Sequence, residues 1–340
     1  MKIQKSSLEI SHFPVMLGEV LKISEPEKGG IFIDCTFGGG GYSKALLNFP
    51  RTRVIGIDRD SKVTSLARTL ENKFQKRFKF FKLKFSELDK TTKNSREVDT
   101  IIFDLGLSSI QLKDLKRGFS FRSKEKLDMS MGLSDISAQE VVNNLSETKL
   151  KLIIKTFGEE RDAAKIAKNI VKARAEKKIT RVDELVSIIK KSKKVTYASK
   201  INPSTKTFQA LRIFVNKETT ELINGVIKAT KLLKPGGKIL VVSFHSIEDK
   251  IIKYFFSNFS QNRSKPSRYL PEDQNTNLVL FEKYYNKIIT ASKNELNKNN
   301  SSRSAKLRFA IRNKKEFFFP NNFVQKFKKY LQLEANDDQD

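Results

Sequence analysis

Three short apolar runs, each closing on an aspartate, constrain this chain more than any other feature. The first, Ile31-Phe-Ile-Asp-Cys-Thr-Phe-Gly-Gly-Gly-Gly-Tyr-Ser43, breaks into four glycines and then a helical pattern. The second is Val54-Ile-Gly-Ile-Asp58, and the third is Val98-Asp-Thr-Ile-Ile-Phe-Asp-Leu-Gly-Leu-Ser-Ser109. In open α/β sheets, ligands bind where the carboxyl ends of parallel strands meet loops. Glycines there let backbone N–H groups approach a ligand, and a carboxylate ending the next strand can accept both ribose hydroxyls. Asp58 follows Gly38 by 20 residues, the offset this arrangement needs. The pattern predicts an adenosine-type cofactor.

Further strand-like runs at 78–83 and 238–244 join those at 30–35, 53–57 and 98–103, with helical patterns between them. Alternating strands and helices predict a doubly wound, parallel α/β sheet. From 112 to 205 the alternation stops. Apolar stripes at helical spacing run through 159–177 and 182–191, and 135–145 and 147–157 read as helices, with Ser146 and Thr180 as N-caps. This predicts a discontinuous α/β domain over 1–111 and 206–313, interrupted by an all-helical insertion at 112–205. Residues 258–304 are rich in Ser, Asn, Lys and Gln around an apolar island at 278–290, which predicts a long mobile loop. Ala305-Lys-Leu-Arg-Phe-Ala-Ile-Arg312 alternates as a final strand, and the aromatic tail at 314–340 predicts core packing or a docked helix.

The charge narrows the partner. Lys and Arg number 66 against 38 acidic residues, a net charge of +28, which points to a polyanion and most simply to nucleic acid. Compositional drift toward Lys accounts for the choice of Lys over Arg better than for the excess over acids. One Cys and two His leave no Cys/His zinc site and no disulfide framework. No apolar stretch reaches the roughly 20 residues of a membrane span, and the first residues lack a signal-peptide core, so a cytoplasmic protein is expected.

A glycine loop alone also suits a nicotinamide cofactor, but no proton relay for hydride transfer is evident. Leu233-Lys-Pro-Gly-Gly-Lys-Ile-Leu-Val-Val-Ser243, a helix end, a turn and a buried strand, looks like the second half of class I S-adenosylmethionine methyltransferases. Beyond the class, the chain closely resembles the RsmH (MraW) family, bacterial enzymes that methylate N4 of a decoding-centre cytidine in 16S rRNA. The resemblance lies in His12-Phe-Pro-Val, Asp34-Cys-Thr-Phe-Gly-Gly-Gly-Gly, Ile57-Asp-Arg-Asp60, and Phe103-Asp-Leu-Gly-Leu-Ser-Ser-Ile-Gln-Leu112. It continues through Arg117-Gly-Phe-Ser-Phe-Arg, Leu127-Asp-Met, Gly158-Glu-Glu-Arg161, and Thr207-Phe-Gln-Ala-Leu-Arg-Ile213. Ser243-Phe-His-Ser-Ile-Glu-Asp249 and Arg303-Ser-Ala-Lys-Leu-Arg308 complete it.

The resemblance implies that S-adenosylmethionine is held by Gly40, Gly41 and Tyr42, with Asp58 on the ribose and Phe85 beside the adenine. Asp104 and Gln111 supply the remaining contacts, and Asp34, ending the first strand, belongs to the same set. Tyr42 stands where the family usually has His, and Lys124-Glu-Lys126 and Gly132 also depart from its pattern. The implied partner is 16S rRNA, within the small ribosomal subunit, and the chemistry needs no metal.

Methyl transfer from a sulfonium is an in-line displacement on an activated carbon, so the protein mainly positions the nucleophile. The N4 lone pair of cytosine is delocalised into the ring, and an acceptor for the N4 hydrogens would favour the reactive, pyramidal amine. Asp104, Ser108 and Ser109 are candidates; alternatively Asp104 contacts only cofactor and the serines cap a turn. Methylation at C5 would need a thiolate, but the only Cys, Cys35, sits inside the first strand and reads as a buried hydrophobe. His245 either orients the base or relays a proton, or else only sets the entry to a helix capped by Ser246-Ile-Glu-Asp249. Stacking aromatics and phosphate-binding cations for RNA are sought in Arg117, Phe119, Phe121, Lys206, Phe208, Arg212, Arg303 and Arg308; for each Phe the alternative is core packing, and for each Arg a surface ion pair. Two readings from other classes stand beside this one: a ribosome-assembly RNA-binding protein without turnover, and a DNA amino-methyltransferase.

Overall fold

The computed structural model describes residues 14–92, 96–193, 202–261 and 278–335; His12 lies outside them. Within them the apolar runs form β1 (Gly30–Asp34), β2 (Thr52–Asp58), β3 (Phe78–Lys82), β4 (Val98–Asp104) and β5 (Leu233–Ser243), with β6 (Phe281–Tyr284), β7 (Ile289–Thr290) and β8 (Lys306–Arg312) after them. They make one sheet in the order β3-β2-β1-β4-β5-β8-β6, with β7 also on β8. The first five strands pair in parallel, while β8 runs antiparallel to β5, β6 and β7. Chain progress reverses direction between β1 and β4, so the carboxyl ends of those two strands flank the switch point where doubly wound sheets bind ligands.

The central strands carry the core because they are covered on both faces. Phe32, Ile33, Ile101, Ile102 and Phe103 are fully buried. β5 starts earlier than its apolar run suggests: Leu233 pairs with Val98, the chain bulges through the Pro-Gly-Gly turn, and Lys238 rejoins opposite Thr100. Gly236 makes that excursion at φ +79°, a left-handed conformation that favours glycine.

Between β4 and β5 the expected helices form over Ala138–Asn144, Glu147–Gly158, Ala163–Glu176 and Val182–Ser192. Ser146 caps the second, accepting from Lys149 N at 3.2 Å. Thr180 does not cap the last. Glu184, in its first turn, reaches back instead and accepts from Thr180 N and Arg181 N at 2.9 and 3.0 Å. These helices share a hydrophobic cluster with the sheet: Ile153, Phe157 and Ile166 belong with Ile33 and Phe103.

After β5 one region is more ordered than its composition suggests, while the tail takes the packed, helical form its aromatics predict. The segment 278–304, expected as loop, holds β6, β7 and the helix Lys293–Lys298; residues 262–277 lie outside the described ones. Phe281 and Tyr284 explain β6, since both turn onto Phe256 with ring centroids at 5.3 and 5.8 Å. The tail folds into Asn321–Lys326 and Lys328–Glu334. Phe323 is fully buried and stacks on Phe255 with centroids 4.5 Å apart. No helix among the described residues is long and apolar enough to cross a membrane.

The tail is therefore part of the core. Phe323→Ala should lower unfolding free energy by about 3–5 kcal/mol, read by chemical denaturation; an exposed, loosely attached tail would give almost no loss.

Candidate cofactor and substrate cavity

A cavity of about 500 Å³ opens at the carboxyl ends of β1, β2 and β4, a size suited to a nucleoside-type ligand. Its floor is the loop after β1. Gly38, Gly39 and Gly41 line it, whereas Gly40 turns at φ +71° against the Phe37 ring. A Cβ on Gly41 would lie 2.5 Å from the Pro14 ring, so only glycine lets the chain and Pro14 approach there.

Three aspartates end the three strands, and the structure gives them different work. Asp34 is fully buried behind the loop and does not line the cavity. Its carboxylate accepts from Ser43 Oγ at 2.7 Å, Ser43 N at 3.2 Å and Thr36 N at 3.3 Å. Asp34, expected among the cofactor contacts, here ties the loop to the following helix. Asp58 lines the cavity while accepting from Gly38 N at 2.7 Å and Asp60 N at 2.9 Å, and burial pushes its carboxyl up to about 6. Asp104 also lines it. Its backbone N donates to Thr36 Oγ1 at 2.8 Å and its carboxylate accepts from Gly106 N at 3.3 Å. Burial first, then the charges of Asp34 and Glu248, push its carboxyl up to about 7 against hydrogen bonds from Gly106 and Tyr42.

Tyr42 is buried, its hydroxyl donating to Val15 O as well as lying against Asp104. Phe85 lines the cavity with its ring edge-on to Phe103 at 5.4 Å. Ser108 and Gln111 form a reciprocal cap: Ser108 Oγ accepts from Gln111 N at 3.2 Å, and Gln111 Oε1 accepts from Ser108 N at 3.0 Å. The turn-cap reading thus holds for Ser108, though both residues still face the cavity. The side chain of Ser109 lies outside what is described. Cys35 is buried and its thiol is pushed well up by burial, as a small core hydrophobe requires.

The opposite wall escaped the sequence reading in part. Arg212, on the helix Thr205–Asn216, donates from Nε and Nη2 to both oxygens of Glu218 at 2.8 Å. Beside that pair stand Glu248 and Phe244, and Gly106 leaves room for the Phe244 ring, 2.8 Å from where its Cβ would be. The helix Ser246–Asn258 is capped by His245 with Glu248, not by Ser246 with Asp249. Glu248 N donates to His245 Nδ1 at 3.4 Å, and the Glu248 carboxylate accepts from Phe244 N at 2.8 Å and His245 N at 3.3 Å. Asp249 is taken by Arg308 instead. His245 Nε2 lies 2.9 Å from Glu248 Oε1. Burial would raise the Glu248 carboxyl, yet His245 and Arg212 hold it below its usual range. Phe244 and Glu218 had only proximity to a motif and a helix start as signals.

The expected RNA contacts divide sharply. Arg117 is buried, pairs with Asp60, donates to Ser130 O at 2.8 Å and lies over Phe119. Arg308 is 2 % exposed and engages Asp249 and the Tyr284 hydroxyl at 2.6 Å each. Phe119 and Phe208 are buried, and Phe121 packs edge-on to Phe208 at 6.4 Å. Partners and neighbours enclose Arg117, Arg308, Phe119 and Phe208, whereas Phe121 is half-buried. Arg212 faces the cavity rather than an outer phosphate path. Lys206 and Arg303 are exposed, and Lys206 donates to Glu159 O at 2.9 Å.

Residues 9–313 match the model of the MraW methylase family. The chain is 42% identical over 304 residues to ribosomal RNA small subunit methyltransferase H of Ehrlichia canis (strain Jake), covering 88% of this chain and 99% of that protein. It is 42% identical over 305 residues to the protein of the same name from Bartonella quintana (strain Toulouse), covering 90% of each. Among solved structures, an rRNA methylase from Streptococcus thermophilus aligns at 9% identity and a TM-score of 0.37, covering 86% of this chain and 96% of that one.

The buried pair makes a direct test of the reassigned arginine. Arg117→Ala should cost about 3–5 kcal/mol in chemical denaturation, because Asp60 is left buried and unpaired. A surface phosphate contact would instead leave stability within about 0.5 kcal/mol.

Proposed function

Because the chain belongs to the MraW methylase family and is an S-adenosylmethionine-dependent methyltransferase, we propose that it methylates 16S rRNA, at N4 of a cytidine in the decoding region. The observation that carries the reading is Asp104, a strand-end carboxylate on the one cavity that also holds the glycine loop and the Arg212–Glu218 wall.

The cavity fits the cofactor. The Gly41 approach leaves no room for a side chain, so backbone faces the methionine part, while Asp58 stands ready for ribose hydroxyls and Phe85 for adenine. S-adenosylmethionine supplies a methyl group already activated by positive sulfur. The protein's share is then to hold the amine and receive its proton. Asp104 accepts a hydrogen bond from N4, which favours the pyramidal amine, and can take the proton that the transfer releases. Across the cavity, Arg212 keeps free N–H groups while Glu218 fixes its plane, a donor array matched to the acceptor O2 and N3 of cytosine. Uracil, with N3–H, meets that array donor to donor. The net charge of +28 and the exposed Lys206 and Arg303 support an RNA partner in the small ribosomal subunit, with the helical segment at 112–205 as one wall of its cleft.

Labelled S-adenosylmethionine with small subunits lacking the modification should give N4-methylcytidine, identified by nucleoside mass spectrometry. Asp104→Ala should slow it at least about a hundredfold. Cofactor binding without product on subunits or naked 16S rRNA would favour the assembly-factor reading, and transfer to DNA would favour the amino-methyltransferase of DNA.

The same carboxylates set a pH dependence. Burial keeps protons on Asp104 and Asp58 up to about 7 and about 6, and a sulfonium cation favours their ionised forms. Affinity for S-adenosylmethionine should therefore strengthen as pH rises from about 5 to 7 and level off above. Titration calorimetry across that range checks it; Asp104→Asn should flatten the upper part, and a pH-independent affinity in the unaltered protein would contradict the assignment.

A further inference from the structure

The helix Glu218–Leu232, which carries part of the cavity wall, has no cap of its own. Lys217 stands at its N-cap position in the left-handed region, at φ 51° and ψ 41°, and its side chain accepts nothing from the helix. An N-cap side chain ordinarily accepts from the second or third helical N–H. Here those donors belong to Thr219 and Thr220, and both go to Glu334. Thr219 N donates to Oε1 at 3.0 Å, Thr220 N to Oε2 at 2.7 Å, and Thr220 Oγ1 to Oε2 at 2.6 Å.

Glu334 closes the helix Lys328–Glu334 and is only 1 % exposed. Phe323, Phe327 and Leu333 anchor that tail in the main core. The whole device lies beyond residue 313, where the match to the methylase family ends. What it caps is functional: Glu218 orients Arg212, Glu221 and Leu222 line the cavity, and the Glu221 carboxylate accepts from Ser86 N at 3.4 Å, next to Phe85.

We propose that Glu334 is a positioning residue for the cofactor: the docked tail supplies the missing cap and so holds Glu218, Glu221 and Leu222 where the cavity needs them. Cofactor affinity then depends on a segment that never touches the cofactor. The inference rests on the cavity holding S-adenosylmethionine.

The test uses the full chain and titration calorimetry with S-adenosylmethionine, well below each variant's melting temperature. Glu334→Ala should raise the dissociation constant about fivefold, the effect of one lost cap. Glu334→Gln, whose single amide oxygen can accept from only one of Thr219 N and Thr220 N while its NH2 faces the other, should recover only part of the affinity. A chain ending at Leu333, which keeps the buried aromatics, should behave as Glu334→Ala does. Folded Glu334→Ala and Leu333-terminated proteins with unchanged affinity would overturn the proposal, even if their melting temperatures fell. An unaltered protein that binds no S-adenosylmethionine would overturn both this inference and the cofactor reading.

Discussion

The hydrogen bond from Gly38 N to Asp58 joins the loop after β1 to the end of β2, and the cavity depends on it. It works with two others: Asp34 holds Ser43, and Thr36 Oγ1 accepts from Asp104 N. Together they fix one glycine loop to three strand ends. The result is a group of carboxylates withdrawn from water, with burial first and then the charge of Asp34 pushing up the carboxyls of Asp58 and Asp104. Such a group is costly when empty, because burial disfavours each charge without a counter-ion. A ligand that brings positive charge and ribose hydroxyls offsets that cost, which links the chemistry of the cofactor to the electrostatics of the unliganded fold.

Much of this was legible in the sequence, for an identifiable reason. The later halves of β1, β2 and β4 are buried and written as short apolar runs (31–33, 54–57 and 101–103), and position at a strand's end is enough to place Asp58 and Asp104. The misreadings share a different cause. Arg117 and Arg308 find their carboxylate partners 57 and 59 residues away, and no local pattern announces a buried ion pair. Asp34 stands in the same local pattern as Asp58, and only the path of the loop decides which of them lines the cavity. The cap before the helix Ser246–Asn258 was misplaced by one residue, because imidazole nitrogen accepts from the backbone as a serine hydroxyl would. β6 falls in the apolar island at 278–290, but four residues with two buried rings are too few to show a period.

The distribution of charge follows from the same sorting. Three arginines, Arg117, Arg212 and Arg308, are spent internally on Asp60, Glu218 and Asp249, where a planar fork can satisfy buried carboxylates. Lysines dominate the remaining positive surface, where flexible point charges serve a polyanion without fixed geometry. An Arg-for-Lys exchange would therefore be tolerated differently inside and outside this molecule.

The reach of Glu334 back to Thr219 and Thr220 also bears on the order in which the protein can be made. Ribosomes deliver the chain from its amino end, so the strands and the glycine loop emerge while the helix Glu218–Leu232 still has bare N–H groups. That helix waits for a partner 114 residues later. Until then its first turn can fray, and the apolar faces that Phe323 and Phe327 will cover are open to the solvent and to chaperones. A binding wall completed by a helix so far downstream gains its ligand well after its strands are made, and a nascent chain stalled before that helix would be nearly folded yet weak in binding.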